Sequence, residues 1–313
     1  PYFVINKQVD DTKRNRFISA TTAKYNFSDH VYAQGRFGYD VSNDHLLNVL
    51  PTGTAFTINQ QGALNALNEV QTSELNADVL VVAKKDLNEY WGLDVSAGTN
   101  FRKRRAETLG YVGSQFVTPY LYIPSNLQSI NSTYTVLELA TESAYYTMDL
   151  SYRKYLNFSA TGRYDIYSTL PSSNRGIFVP GFSGSFVFSE LLHLPGMNYG
   201  KLRMSFAKTS GEPALPYATE TYYSSNTSVN GIPLGNFSRI LPNYNLKPFV
   251  LNEYETGMNL IFFNSRLGLD LTYFHRITNN EITNVEQSVT TGFNSSYVNL
   301  GRTRNTGIEI LLY

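Results

Sequence analysis

The chain contains no cysteine and a single tryptophan. Without cysteine there is no disulfide framework, no zinc–thiolate site and no catalytic thiol. Neither charge is in excess: Lys plus Arg and Asp plus Glu stand at 25 each, for a net charge of zero. Nucleic-acid-binding surfaces carry a basic excess, so that partner class is excluded. Long apolar runs are also missing. Stretches such as Val79 to Ala83 fall far short of the roughly 18 residues that mark a membrane helix. A chain of this kind crosses a membrane as a β-barrel or not at all. Pro1 opens the sequence with no basic-then-apolar leader, which fits a mature form or a piece of a longer chain.

Charge is scarce overall, at 16% of residues, against about 25% in an ordinary soluble domain. Aromatic residues are plentiful instead, with 24 Tyr and 19 Phe. Both favour strands, and aromatic girdles line the interfaces of outer-membrane barrels.

The clearest segments alternate with period two, the signature of a strand with two different faces. From Trp91 to Phe101, the set Trp91, Leu93, Val95, Ala97, Thr99 and Phe101 opposes Gly92, Asp94, Ser96, Gly98 and Asn100. Leu156, Phe158, Ala160, Gly162, Tyr164 and Ile166 oppose Asn157, Ser159, Thr161, Arg163 and Asp165. Leu202, Met204 and Phe206 oppose Lys201, Arg203 and Ser205, and Tyr254, Met258, Leu260 and Phe262 oppose Glu253, Glu255, Gly257 and Asn259. After a turn at Asn264-Ser265, Leu267, Leu269, Leu271 and Tyr273 oppose Arg266, Asp270 and Thr272. Strands of about ten residues are expected, the length that crosses a bilayer when tilted.

Short turns, at Lys84 to Tyr90 and Asn264-Ser265, alternate with long polar stretches. Arg102 to Ala144, Ser210 to Val250 and Asn279 to Ser296 read as long loops, and Gly62 to Val70 as loop structure before a strand from Glu74. That rhythm is the habit of outer-membrane barrels. It favours a transmembrane antiparallel β-barrel over the alternative all-β architecture, a soluble sandwich with evenly spaced turns.

Motifs for chemistry are absent or broken. The histidines, His30, His45, His193 and His275, are scattered and form no H-E-x-x-H pair, so no metal site or other cofactor is expected. Gly196 to Leu202 is not a P-loop, because its spacing is one residue short and Leu202 stands where Ser or Thr is needed; Met197 to Gly200 reads as a turn. Glu253 and Glu255 fit a polar barrel interior, or pairing with Arg203 or Arg266, better than glycoside hydrolysis. The run Arg102 to Arg105 reads as the base of a solvated loop or as a contact with anionic lipid headgroups. The aromatic loop after Gly211 offers the best contact candidates: Tyr217, Tyr222, Tyr223, Asn226, Asn243 and Tyr244. These side chains stack on and hydrogen-bond glycans or peptides.

Several ordered segments together resemble SusC/RagA-type TonB-dependent outer-membrane transporters of Bacteroidetes. They are G-R-Y-D-I-Y-S-T-L-P-S-S-N-R-G-I-F-V-P from Gly162 to Pro180, K-L-R-M-S-F-A-K-T-S-G from Lys201 to Gly211, and N-L-K-P-F-V-L-N-E-Y-E-T-G from Asn245 to Gly257. Leu267 to Phe274 and N-L-G-R-T-R-N-T-G-I-E-I from Asn299 to Ile310 complete the set. Phe249 departs from the family pattern, which has Glu after the proline. The resemblance implies a plugged barrel of about 22 strands, of which residues 1–313 would be an interior β-barrel portion without the plug domain and closing strands. It further implies nutrient import at the bacterial outer membrane, energised through TonB. The partners would be a SusD-like surface lipoprotein, a glycan or peptide substrate and outer-membrane lipid, with no reaction on the cargo. A scaffold or interaction role in a surface complex is the alternative.

Overall fold

A computed structural model describes residues 2–153, 155–212, 216–230 and 232–313, with side chains at all of these except 4, 226–228 and 233. A short helix, Tyr2–Lys7, leads into β1 (Val9–Asn26), β2 (Val31–Leu50), β3 (Ala63–Asp86), β4 (Trp91–Phe116) and β5 (Leu127–Tyr152). Next come β6 (Leu156–Tyr167), β7 (Gly176–Val187) and β8 (Met197–Gly211). A separate hairpin of β9 (Tyr223–Val229) and β10 (Ile232–Phe237) precedes the two-residue β11 (Ile240–Leu241). The chain closes with β12 (Phe249–Phe262), β13 (Leu267–Glu286) and β14 (Ser295–Leu312). One 12-stranded sheet runs in the order β1 to β8, β12, β13, β14, β11. Every pairing in it is antiparallel except that of β11 with β14.

The connections at one end of the sheet are tight turns of four residues or fewer, apart from residues 188–196 between β7 and β8, and short side chains shape them. The Asn88 Oδ1 accepts from the Tyr90 and Trp91 amides at 2.8 and 3.0 Å, closing an Asx turn between β3 and β4. The Ser28 hydroxyl does the same for His30 and Val31 between β1 and β2. Phe263, Asn264 and Ser265 take positive φ to reverse the chain between β12 and β13. The other end carries the longer connections, residues 51–62, 117–126, 168–175, 212–248 and 287–294.

The register carries one face unbroken across the sheet, as in the row Gly35, Val79, Thr99, Ala144, Tyr164, Phe178. That face is apolar and exposed; Met204 and Ile310 show 67% and 65% of their surface. The opposite face is polar, yet it holds buried groups such as Asp78 and Asp165. A soluble protein buries the apolar face instead, so this sheet is built for apolar solvent on the outside. Rings mark the edges of the apolar band. Near the tight turns Trp91, Tyr152, Tyr155 and Phe186 stand in succession with centroids 4.6, 5.6 and 6.3 Å apart. Higher up, Tyr39, Phe101, Tyr164, Phe178 and Tyr254 lie on the same face. The span from Trp91 to Phe101, about ten residues at roughly 3.3 Å each and a tilt near 40°, is about 25 Å tall, the height of a barrel's apolar belt.

The strands exceed the expected length. β4 and β5 have 26 residues each and β3 has 24. Residues 102–144 are therefore mostly strand, not loop, and the connection shrinks to 117–126. Likewise β3 begins at Ala63, β8 at Met197, and β13 and β14 consume most of 279–296. Outside the membrane both faces meet water, so the apolar alternation fades while backbone pairing continues. Val49, Leu64, Phe116 and Leu127 form a small core that ties the far ends of β2 to β5 together.

Candidate transport wall and extracellular rim

The inward face of the sheet carries a lattice of arginine–carboxylate pairs. Arg14 Nε and Nη2 donate to Asp44 at 2.6 and 2.7 Å, and Arg16 forms the same fork with Asp40. Arg36 donates to Asp78 at 2.9 and 2.7 Å, and the Tyr145 hydroxyl donates to the same carboxylate. Arg102 grips Glu74 through both oxygens at 2.8 Å, which holds that carboxyl below its ordinary range. Arg163 with Asp165, Arg203 with Asp270 and Arg276 with Glu253 continue the pattern around the wall. Glu253 thus meets Arg276 rather than Arg203 or Arg266, because β12 registers Glu253 opposite Arg276. Glu255 accepts from the Ser205 hydroxyl at 3.5 Å.

Guanidinium groups thus engage each of the paired carboxylates, several of them as two-bond forks. They suit a hydrated passage wall more than an acid–base pair. No group of three or more His, Asp or Glu among the described residues is placed to hold a metal ion.

The basic run 102–105 lies within β4 and splits between the two faces. Arg102 points inward to Glu74, while Lys103 and Arg105 point outward and pair with Glu138 at 3.4 and 2.7 Å. Arg105 also meets Glu107, and its guanidinium holds Glu138 below the usual carboxylate range.

At the long-loop end, three of the quoted sequence motifs meet. Tyr167, Leu170 and Leu246 form a buried core against Ile177, Ile282 and Tyr297. Asn299 stitches the loop to the sheet. Its Nδ2 donates to the carbonyls of Lys247 and Asn280, both at 2.8 Å, and its Oδ1 accepts from the Lys247 amide at 2.9 Å. Asn280 sits at positive φ, at the bulge where β13 slips register against β14. Thr169 donates to Glu212, and burial pushes the Glu212 carboxyl above its ordinary range. Sequence reasoning did not single out Leu246, Asn299 or Glu212 as rim residues, although two of them sit in its quoted motifs.

The six loop candidates are spread along 212–248. Tyr217 and Tyr222 stack edge-on at 6.4 Å, and both are exposed. Tyr223 opens β9, 74% exposed, and meets Phe237 at 5.4 Å; Phe237 in turn meets Phe293 of the next loop. Tyr244 is exposed. Asn243 is committed to the backbone, donating to the Tyr297 carbonyl at 2.9 Å and accepting from the Asn245 amide at 3.0 Å. Asn226 lies on β9 with its side chain outside the described residues.

A sheet with an apolar belt facing out, a polar ion-paired face turned in, and tight turns opposite long loops is the wall of a transmembrane β-barrel. The chain belongs to the TonB dependent receptor-like β-barrel family, whose model matches residues 2–313. It is 24% identical over 322 residues to TonB-dependent receptor P26 of Formosa agariphila, covering 97% of this chain and 32% of that protein. The RagAB peptide transporter structure superposes with a TM-score of 0.88 at 18% identity, over 100% of this chain and 35% of that one. The RagAB peptide importer in a "closed-closed" state gives 0.86 at 17%, over 98% and 34%. The chain thus spans about a third of the relatives it matches. Barrels of this family reside in the outer membrane, which makes the long-loop end extracellular.

Proposed function

We propose that the full-length protein is an active nutrient importer of SusC/RagA type, energised through TonB, with this chain as part of its barrel wall. The plug domain and remaining strands lie elsewhere in that protein. The observation that carries the reading is the inward lattice of seven arginine–carboxylate pairs on a wall whose other face is apolar. A wall whose charges are mostly paired lets a hydrated polar cargo pass without being trapped by a strong field of one sign. The cargo is an oligosaccharide or a peptide, and the fold likeness to a peptide transporter favours the peptide.

The extracellular loops contact the cargo and a SusD-like surface lipoprotein that closes over them. Tyr217, Tyr222, Tyr223 and Tyr244 offer exposed rings for that contact, Asn226 of β9 is a further candidate, and Asn243 holds the loop in place. Outer-membrane lipid covers the apolar belt. The importer performs no reaction on its cargo.

Deleting the gene tests the reading directly. Uptake of one class of short peptides or oligosaccharides should fall, and should fall equally when the TonB system is inactivated. Unchanged uptake across both cargo classes would overturn it.

A further inference from the structure

Just above the upper ring row, β1 to β4 form a concave patch on the inner wall with a volume of about 270 Å³. Asp40, Asp44 and Glu74 line it together with Arg14, Arg16 and Arg104, and Arg102 reaches Glu74 from beside the concavity. Each carboxylate is taken by one arginine at both of its oxygens: Asp44 by Arg14, Asp40 by Arg16 and Glu74 by Arg102. The fourth arginine, Arg104, lines the same concavity. It is registered directly opposite Glu74, but Glu74 is already engaged by Arg102. Among the described residues Arg104 makes no ion pair and no side-chain hydrogen bond.

The patch therefore carries one uncompensated positive charge, presented as a planar fork at the mouth of the passage. A guanidinium fork matches a carboxylate or sulfate bidentately, and the three neighbouring pairs are fixed by their own bonds and cannot release a carboxylate to it without loss. We infer that Arg104 is the docking point for a single anionic group on the cargo. Resting on the import reading above, this narrows the substrate class to molecules that carry such a group: the C-terminal carboxylate of a peptide or the acid of a uronic-acid oligosaccharide.

The test uses the full-length receptor in detergent. Its binding is compared for short peptides lacking Asp and Glu, as free acids and as C-terminal amides, and for uronic-acid oligosaccharides and their neutral counterparts. The wild type should bind the anionic member of one pair about tenfold more tightly, and that pair identifies the source. Arg104→Gln should bring the two members level while leaving the neutral member's affinity unchanged. Arg104→Lys should restore only part of the preference, since it keeps the charge and loses the fork. Binding without preference in the wild type, or preference retained in Arg104→Gln, overturns the assignment and leaves import standing. Binding of no member of either pair overturns both.

Discussion

Leu246→Ala should loosen the long extracellular loop without unfolding the wall. Leu246 is fully buried at 0% exposure and packs with Tyr167 and Leu170 against Ile282 and Tyr297. Truncating a buried leucine costs about 2–5 kcal/mol, lower where the site collapses. A loop packed on a strand collapses more readily than a closed core, so about 2–3 kcal/mol is the working figure. At about 1.4 kcal/mol per tenfold, local opening of residues 243–248 should become roughly 30- to 150-fold more frequent. The assay is hydrogen exchange on the folded receptor, read at the Lys247 amide, which donates to Asn299. Peptides from β12 and β13 within the apolar belt should keep their protection, because open loops sit at the low-stability end of a structure. Unchanged exchange at Lys247, or equal acceleration in the belt strands, would refute the idea that Leu246 pins the loop.

Two further outcomes follow from packing and burial. A Cβ on Gly98 would meet the Val79 carbonyl oxygen at 2.6 Å, whereas one on Gly35 meets nothing within 4 Å. Gly98→Val should therefore destabilise the barrel by about 1–3 kcal/mol and lower its heat-modification temperature, while Gly35→Ala stays within about 0.5 kcal/mol. At the rim, burial raises the Glu212 carboxyl above its unfolded value of 4.5. A raised acid binds more protons folded than unfolded, so its contribution is full below the unfolded pKa and is lost as pH rises through the folded one. Melting curves between pH 4 and 7 should show Glu212→Gln gaining stability over the wild type as pH rises; a difference independent of pH would count against the burial.

The belt was legible in the sequence because one solvent imposes one rule. Between Trp91 and Phe101, or Leu202 and Phe206, lipid outside and a polar interior force strict alternation, and the register keeps those faces as read. Above the belt that rule lapses. Lys103, Arg105 and Glu138 occupy outward positions that lower down belong to Val95 and Met148, so the segment reads as a loop although β4 and β5 continue through it. Nothing local to 102–116 reports the partner strand that keeps it extended.

The motifs identified the family without disclosing what their residues do. Asn245-Leu246-Lys247-Pro248 and Asn299-Leu300-Gly301 are some fifty residues apart, and their shared role appears once Asn299 bonds both faces of Lys247. Gly301 has a physical reason as well, since a Cβ there would meet Glu281 at 2.5 Å beside the bulge. Arg104 was hidden for a different reason. Within Arg102-Lys103-Arg104-Arg105 the four side chains are alike on paper; Glu74 is registered opposite Arg104, yet it is gripped from the diagonal position by Arg102, which leaves Arg104 without a carboxylate.

Alternate residues of β4 face lipid and passage. Because this chain has no cysteine, single cysteines can be placed at Val95, Ala97 and Thr99, and at Asp94, Ser96 and Asn100, in a full-length protein otherwise free of cysteine. A water-soluble maleimide should label the second set, and a bilayer-embedded quencher should reach a fluorophore on the first. Equal labelling of both sets, or the inverse pattern, would show that β4 does not divide lipid from passage.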